Sequence, residues 1–169
     1  MASLPLELAP LRAGDRGAVE RLAERAFGPG RFARTAFRLR EGRAPDASLS
    51  FVATVGTLLV GSVVVTPVRA GAEAALLLGP LVVDPAFEGR GIGRALVERS
   101  VAAARSGGHR LMILVGDEAY YARFGFRRAP EGRLVMPGPV DPARLLALEL
   151  EPGALEAATK GGRAELRGA

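Results

Sequence analysis

Residues 80–94 read P-L-V-V-D-P-A-F-E-G-R-G-I-G-R, and this stretch restricts the possible folds more than any other. An apolar run over residues 76–83 has the look of a buried strand. It stops at Asp84-Pro85, passes through a loop holding Gly89, Gly91 and Gly93, and opens an amphipathic helix. Glycine lets the backbone turn tightly with no side chain in the way, so successive N–H groups at a helix start can face an anion. The stretch therefore predicts a phosphate cradle at a strand-to-helix junction inside an α/β fold.

The rest of the chain supplies the context for such a junction. Its 169 residues suffice for one domain with a sizeable core, and 49% hydrophobic against 24% charged residues is ordinary for a globular protein. No apolar run approaches the roughly 20 residues that span a bilayer. The start, M-A-S-L-P-L-E, lacks the basic and apolar regions of a secretory signal, so the expected location is cytoplasmic. The absence of cysteine removes disulfides, thiolate ligands and a cysteine nucleophile, and a lone histidine leaves no His-rich metal site, so no metal is expected. A net charge of +5 favours anionic ligands. The charges are spread rather than blocked and aromatics are only 5%, which argues against nucleic acid as the partner.

In chain order, residues 6–11 form a candidate first strand, and Asp15 is a candidate N-cap for a helix burying Val19, Leu22, Ala23, Ala26 and Phe27. Residues 31–40 suggest a second helix, with Phe32, Ala36 and Leu39 on one side. Arg31, Arg34 and Arg38 fall on the other, as a solvated face or as an element attracting an anion. Residues 49–55 and 58–68 flank Gly56-Thr57 as a hairpin. Residues 74–83 lack alternation and so predict a strand covered on both faces. Proline cannot donate to a ladder, so Gly79-Pro80 predicts a bulge or a local release from the neighbouring strand. Gly93, Leu96, Val97, Ser100, Val101 and Ala104 then form the buried stripe of a helix ending at Gly107-Gly108. Residues 111–115 read as a short buried strand, which makes strand, helix, strand a right-handed parallel crossover. A short helix over residues 118–124 is closed by Gly125. One or two strands follow to Leu150, and residues 151–169 carry too weak a signal to place.

Two familiar glycine motifs are excluded by spacing. A P-loop needs lysine and a hydroxyl residue after its last glycine, whereas Gly93 is followed by Arg94-Ala95. A dinucleotide fingerprint needs G-x-G-x-x-G, and counting from Gly89 or Gly91 puts Arg94 or Leu96 in the last place.

What remains, Glu88-Gly89-Arg90-Gly91-Ile92-Gly93 after V-V-D-P, closely resembles motif A of the GNAT family of acyl-CoA-dependent N-acetyltransferases. The later run Tyr120-Tyr121-Ala122-Arg123-Phe124-Gly125-Phe126 is similar to the family's F-Y-x-x-x-G-F. The element order also resembles the GNAT layout over about residues 6–150, and the phrasing L-L-L-G-P-L-V-V looks like the bacterial YhbS-like branch. The resemblance implies a mixed, mostly antiparallel central sheet with a parallel β-α-β crossover at the acetyl-CoA site and helices on both faces, in a single N-acetyltransferase domain. It implies that the backbone of Gly89, Arg90, Gly91, Ile92, Gly93 and Arg94 holds the CoA pyrophosphate at the helix start. Leu81, Val82 and Val83 would pair with the pantetheine arm like an added strand, one N–H also stabilising the oxyanion. Tyr121 would be the general acid toward the CoA thiolate.

On this reading the protein moves an acetyl group directly from acetyl-CoA, its co-substrate, to a small-molecule amine or a protein amino group. No nucleic acid and no membrane take part, and a homodimer is allowed. The alternative is a non-catalytic acyl-CoA-binding or regulatory module. Two departures bear on the choice. Glu88 puts a carboxylate where the family has Gln or Arg, and Asp117 stands near the usual place of an asparagine, where it can cap the short helix. No general base is evident: Glu73, Asp117 and Glu118 are candidates, while His109, just before a buried strand, suits a structural role. Arg90, Arg94, Arg123, Arg127 and Arg128 gather in sequence around the proposed site.

Overall fold

The computed structural model describes residues 5–28, 30 and 34–169, so the start of the chain and the predicted helical residues 31–33 lie outside the described residues. The first strand, β1 (Leu6–Pro10), leads into helix α1 (Arg16–Phe27). Asp15 precedes that helix as expected, but its carboxylate turns back to accept the Arg12 N–H at 2.9 Å and makes no side-chain cap on α1. Val19, Leu22 and Ala23 are buried as the spacing predicts, whereas Ala26 is exposed. Helix α2 is Thr35–Arg40, with Leu39 buried.

Two hairpins follow. Strand β2 (Phe51–Val55) turns through Gly56-Thr57 into β3 (Leu58–Ala70), which turns at Gly71-Ala72 into β4 (Glu73–Val83). Helix α3 (Ile92–Ser106) crosses over to β5 (Leu111–Val115), which pairs parallel to β4. The short helix α4 (Glu118–Tyr121) runs into a single 3-10 turn, Ala122–Phe124. Strands β6 (Arg127–Arg128), β7 (Leu134–Val135) and β8 (Leu145–Glu149) come next. Helix α5 (Ala154–Thr159) and strand β9 (Ala164–Gly168) end the chain. The sheet runs β1-β2-β3-β4-β5-β8-β6, and β9 joins the far end of β3, pairing Ala70 with Leu166. The weak C-terminal signal thus hides a helix and a strand built into the sheet.

The two-sided burial predicted for β4 is visible residue by residue. Leu76 and Leu78 pack in one core with Leu96, Val97 and Val101 of α3, while Leu77 between them belongs to another core with Leu39 of α2 and Ala154 and Ala158 of α5. Helix α1 lies on the face opposite α3, where Leu22 and Ala23 meet Val82. Each fully buried aliphatic side chain contributes about 1.5–3 kcal/mol, whereas an exposed ion pair typically gives under about 1 kcal/mol, so these seams hold the fold. Buried hydroxyls tie the chain entering β2 to its neighbours. Ser100 Oγ donates to Leu49 O at 2.7 Å, fixing α3 on the sheet, and Ser50 Oγ accepts the Val65 N–H at 2.9 Å just before β2 begins.

At Gly79-Pro80, which is a cis peptide, the ladder to β3 changes step: Val63 faces Leu81 and Val65 faces Leu78. Three steps on β4 answer two on β3, which is the predicted bulge. On its other edge β4 pairs with β5 only at Leu76–Met112 and Leu77–Ile113. Strand β5 meanwhile keeps its whole length paired to β8. Beyond Leu77, then, β4 and β5 splay apart, and the segment from Leu81 to Val83 keeps β3 as its only strand partner among the described residues.

Candidate active site

The glycine loop is short because both of its ends are held. Asp84 accepts the Ala86 N–H at 2.9 Å and caps the 3-10 turn Pro85–Phe87, and the loop then reaches α3 through Gly89 (φ +76°) and Gly91 (φ +78°). These left-handed positions favour glycine, and a Cβ built on either would meet no atom within 4 Å. Inside the helix the Ala95 N–H is taken up by Gly91 O at 3.0 Å, which leaves those of Ile92, Gly93 and Arg94 as the helix's open donors. Donors of this kind at the positive end of a helix suit a pyrophosphate. Side chains contribute less to the cradle: Arg90 stacks on Phe87 at 4.9 Å, and Arg94 is tied to Glu98 at 2.8 Å, which raises its pKa. Glu88 is exposed and forms no ion pair among the described residues.

Gly93 is a glycine for a different reason. A Cβ there would lie 2.9 Å from the Tyr120 hydroxyl and 3.6 and 3.7 Å from Val83 and Leu81. Tyr120 therefore bridges α4 to the start of α3, at the mouth of the splay. Tyr121 turns the other way. Its ring lies on Gly116, where a Cβ would meet Cε2 at 2.6 Å, and packs edge-on against Tyr120 and Phe126 with centroids 4.9 and 5.9 Å apart. Burial pushes the Tyr121 phenol up to about 12, the neighbouring Tyr120 adding to the shift and Arg144 opposing it. Burial also raises Tyr120, against the pull of Arg123, whose guanidinium lies 5.1 Å from its ring. Among the described residues neither hydroxyl has a hydrogen-bond partner.

Both tyrosines line a cleft of about 1140 Å³ that opens beside the bulge of β4. Gly79, Pro80 and Leu81 form its floor, α1 and α2 one wall, and Gly116, Asp117 and the segment Pro139 to Arg144 the other. The cleft joins Leu81 and Tyr121 but does not reach Val82, Val83 or the residues from Gly89 to Arg94, which lie outside it.

Of the candidate bases, only Asp117 faces the cleft, and its Oδ1 accepts the Ala119 N–H at 3.1 Å, the cap predicted for the short helix. Glu118 pairs with Arg128 at 3.2 Å, Glu73 with Arg110 at 3.4 Å, and His109 packs on Gly107 at the other end of β5. Of the five arginines that gather in sequence, Arg127 donates to Ala122 O and Phe126 O and Arg128 pairs with Glu118, while Arg123 stacks on Tyr120 and Arg90 and Arg94 stay on the glycine loop and the first turn of α3. Sequence reasoning did not single out Tyr120 or Arg40. The Tyr-Tyr pair was a signal for the first; the basic helix around Arg34 and Arg38 was a signal for the second.

Among the described residues, no helix is long and apolar enough to cross a membrane, and no group of three or more His, Cys, Asp or Glu side chains is placed to hold a metal. The sequence and the fold are similar to those of known proteins. The acetyltransferase (GNAT) domain family matches residues 46–128. The uncharacterised N-acetyltransferase YhbS of Escherichia coli K12 is 31% identical over 118 residues, 68% of this chain and 70% of that protein. The crystal structure of YhbS from Escherichia coli in complex with CoA superposes with a TM-score of 0.80 at 25% identity, covering 100% of this chain and 92% of that one. A GNAT family acetyltransferase from Brucella melitensis in complex with acetyl-CoA gives a TM-score of 0.66 at 28% identity, over 88% of this chain and 90% of that one. Fold and relatives together define the class as an acyltransferase. The chain belongs to the GNAT family of N-acetyltransferases.

Proposed function

We propose that this protein transfers an acetyl group directly from acetyl-CoA to an amine held in the cleft between α2, the β4 bulge and α4. One observation carries the reading: β4 parts from β5 after Leu77, so its edge at Val83, Val82 and Leu81 offers a track from the start of α3, where Val83 and Leu81 approach Gly93, to the cleft that Leu81 and Tyr121 line. Acetyl-CoA fits this track as co-substrate. The N–H groups from Gly89 to Arg94 suit its pyrophosphate, and the unpaired edge of β4 suits the amides of its pantetheine arm.

The chemistry follows from what lies at the inner end. A backbone N–H near Leu81 can donate to the thioester oxygen as negative charge grows on it during attack by the amine. Tyr121 donates its O–H toward the departing sulfur. Held near pKa 12, the phenol stays protonated at neutral pH. It is a weak acid in water, so its effect lies in a hydrogen bond that strengthens as the sulfur becomes anionic. The balance closes within the two substrates: the amine loses one N–H proton and the leaving group becomes a thiol, with water or Asp117 relaying that proton.

A turnover screen tests the proposal by following CoA release from acetyl-CoA across small amines and peptides with free amino groups. Release that depends on an amine supports it. Tight acetyl-CoA binding without release from any acceptor would leave the non-catalytic reading in its place.

A further inference from the structure

We propose that the acceptor amine carries an oxyanion, a carboxylate or phosphate, and that Arg40 receives it. This inference rests on the acetyl-transfer reading and names the class of acceptor within it.

The cleft is strongly biased in charge, with six arginines lining it against three carboxylates. Part of that charge is already engaged. Arg38 donates to Pro137 O at 2.9 Å and Arg43 to Ala169 O at 3.2 Å. On the acidic side Asp117 and Asp141 cap the turns that follow them, accepting from Ala119 at 3.1 Å and Ala143 at 2.9 Å. Arg40 differs from the other five arginines in being half-buried where they are exposed. It is the last residue of α2, and its Nη1 lies 3.6 Å from where a Cβ on Gly79 would be, so the guanidinium rests on the bulge itself. Among the described residues it makes no side-chain hydrogen bond and no ion pair.

A half-buried guanidinium without a hydrogen-bonded partner is costly, since desolvation of a charge is offset mainly by close pairing. Its pKa is pushed down to about 10, mainly by burial and then by the like charge of Arg34, with Glu20 opposing. It remains a cation at neutral pH, with a planar fork shaped for two oxygens of a carboxylate or phosphate. Arg34, stacked 4.9 Å over the Phe27 ring, lines the same wall and adds to the local positive field.

The phosphates of CoA are a poor match for Arg40. Their cradle is at the start of α3, outside the cleft, whereas Arg40 sits at Gly79, inward of Leu81 and past the end of the pantetheine track. An anion bound there belongs to the acceptor. The same cleft disfavours polycationic acceptors, because they would bring like charge against Arg34 and Arg40.

The experiment uses matched pairs: phosphoethanolamine against ethanolamine, and β-alanine against β-alaninamide. It measures kcat/KM with acetyl-CoA, and binding of each amine to the CoA-saturated protein. The expected result is a preference of about tenfold or more for the anionic member of each pair, which collapses toward unity in Arg40→Gln and partly returns in Arg40→Lys. Because the readout is a ratio within one variant, a loss of folded protein does not imitate it. Equal use of the two members by the natural protein, or a ratio that survives Arg40→Gln, overturns the inference. If no amine releases CoA, the acetyl-transfer reading fails, and the binding ratio on the CoA complex still decides the role of Arg40 by the same two criteria.

Discussion

The Tyr120 hydroxyl lies so close over Gly93 that a Cβ at position 93 would come within 2.9 Å of it. The two residues come from the two motifs of the chain, and their contact is what brings α4 onto the start of α3. The backbone of Gly93 is not in the left-handed region, so its lack of a side chain answers a need for space.

That contact predicts a non-additive pair of substitutions. Gly93→Ala gains up to about 1 kcal/mol of helix propensity but drives its methyl against the hydroxyl. Tyr120→Phe removes the oxygen and leaves the ring. Urea unfolding of the two single variants and the double variant should show a coupling of about 0.5–2 kcal/mol, with Gly93→Ala stabilising only when combined with Tyr120→Phe. Strict additivity would mean that the two side chains do not meet.

Tyr121→Phe keeps the ring on Gly116 and against Phe126, so its stability should stay within about 0.5 kcal/mol of the natural protein. If the phenol assists the departing sulfur, kcat falls about a hundredfold or more while the Kd for acetyl-CoA, measured by titration calorimetry, is nearly unchanged. Turnover equal to that of the natural protein would remove Tyr121 from the mechanism.

The pH dependence follows from burial of the same phenol. Its folded pKa, near 12, is raised above the ordinary 10.0, so the neutral form is the one the fold accommodates. Below about pH 10 folded and unfolded chains both keep the proton and Tyr121 adds no pH dependence. Between about pH 10 and 12 the unfolded phenol ionises first and stability falls. Thermal unfolding from pH 8 to 11.5 should therefore lose stability less steeply above pH 10 in Tyr121→Phe. The falling limb of any pH–rate profile below pH 10 must come from a group other than Tyr121.

Much of this architecture can be read in the chain because its signals are local. The period of the α3 stripe, the glycine stops and the unalternating β4 run each depend on neighbours a few residues away, and Gly79-Pro80 marks the bulge because proline cannot join a ladder. Strand β9 was not legible, since A-E-L-R-G gains its place by pairing with β3, almost a hundred residues earlier, and with β7. The same limit applies to the site. The loop and Tyr121 sit in motifs, whereas the meeting of Arg40 with Gly79 exists only once α2 has packed beside the sheet.

The loop offers a matched comparison between two glycines at opposite ends of α3. Gly91 (φ +78°) and Gly108 (φ +73°) share a left-handed backbone, and a Cβ on either would meet no atom within 4 Å. Valine at either position should thus carry the same conformational cost, about 1–2 kcal/mol in urea unfolding. Only Gly91→Val, however, puts its branched side chain where the pyrophosphate would approach the open N–H groups of Ile92, Gly93 and Arg94. Its Kd for acetyl-CoA should rise about a hundredfold, equivalent to losing about 2.7 kcal/mol of binding, while Gly108→Val binds as the natural protein does. Equal affinity in the two variants would remove the pyrophosphate from this loop, whatever the stability measurements gave.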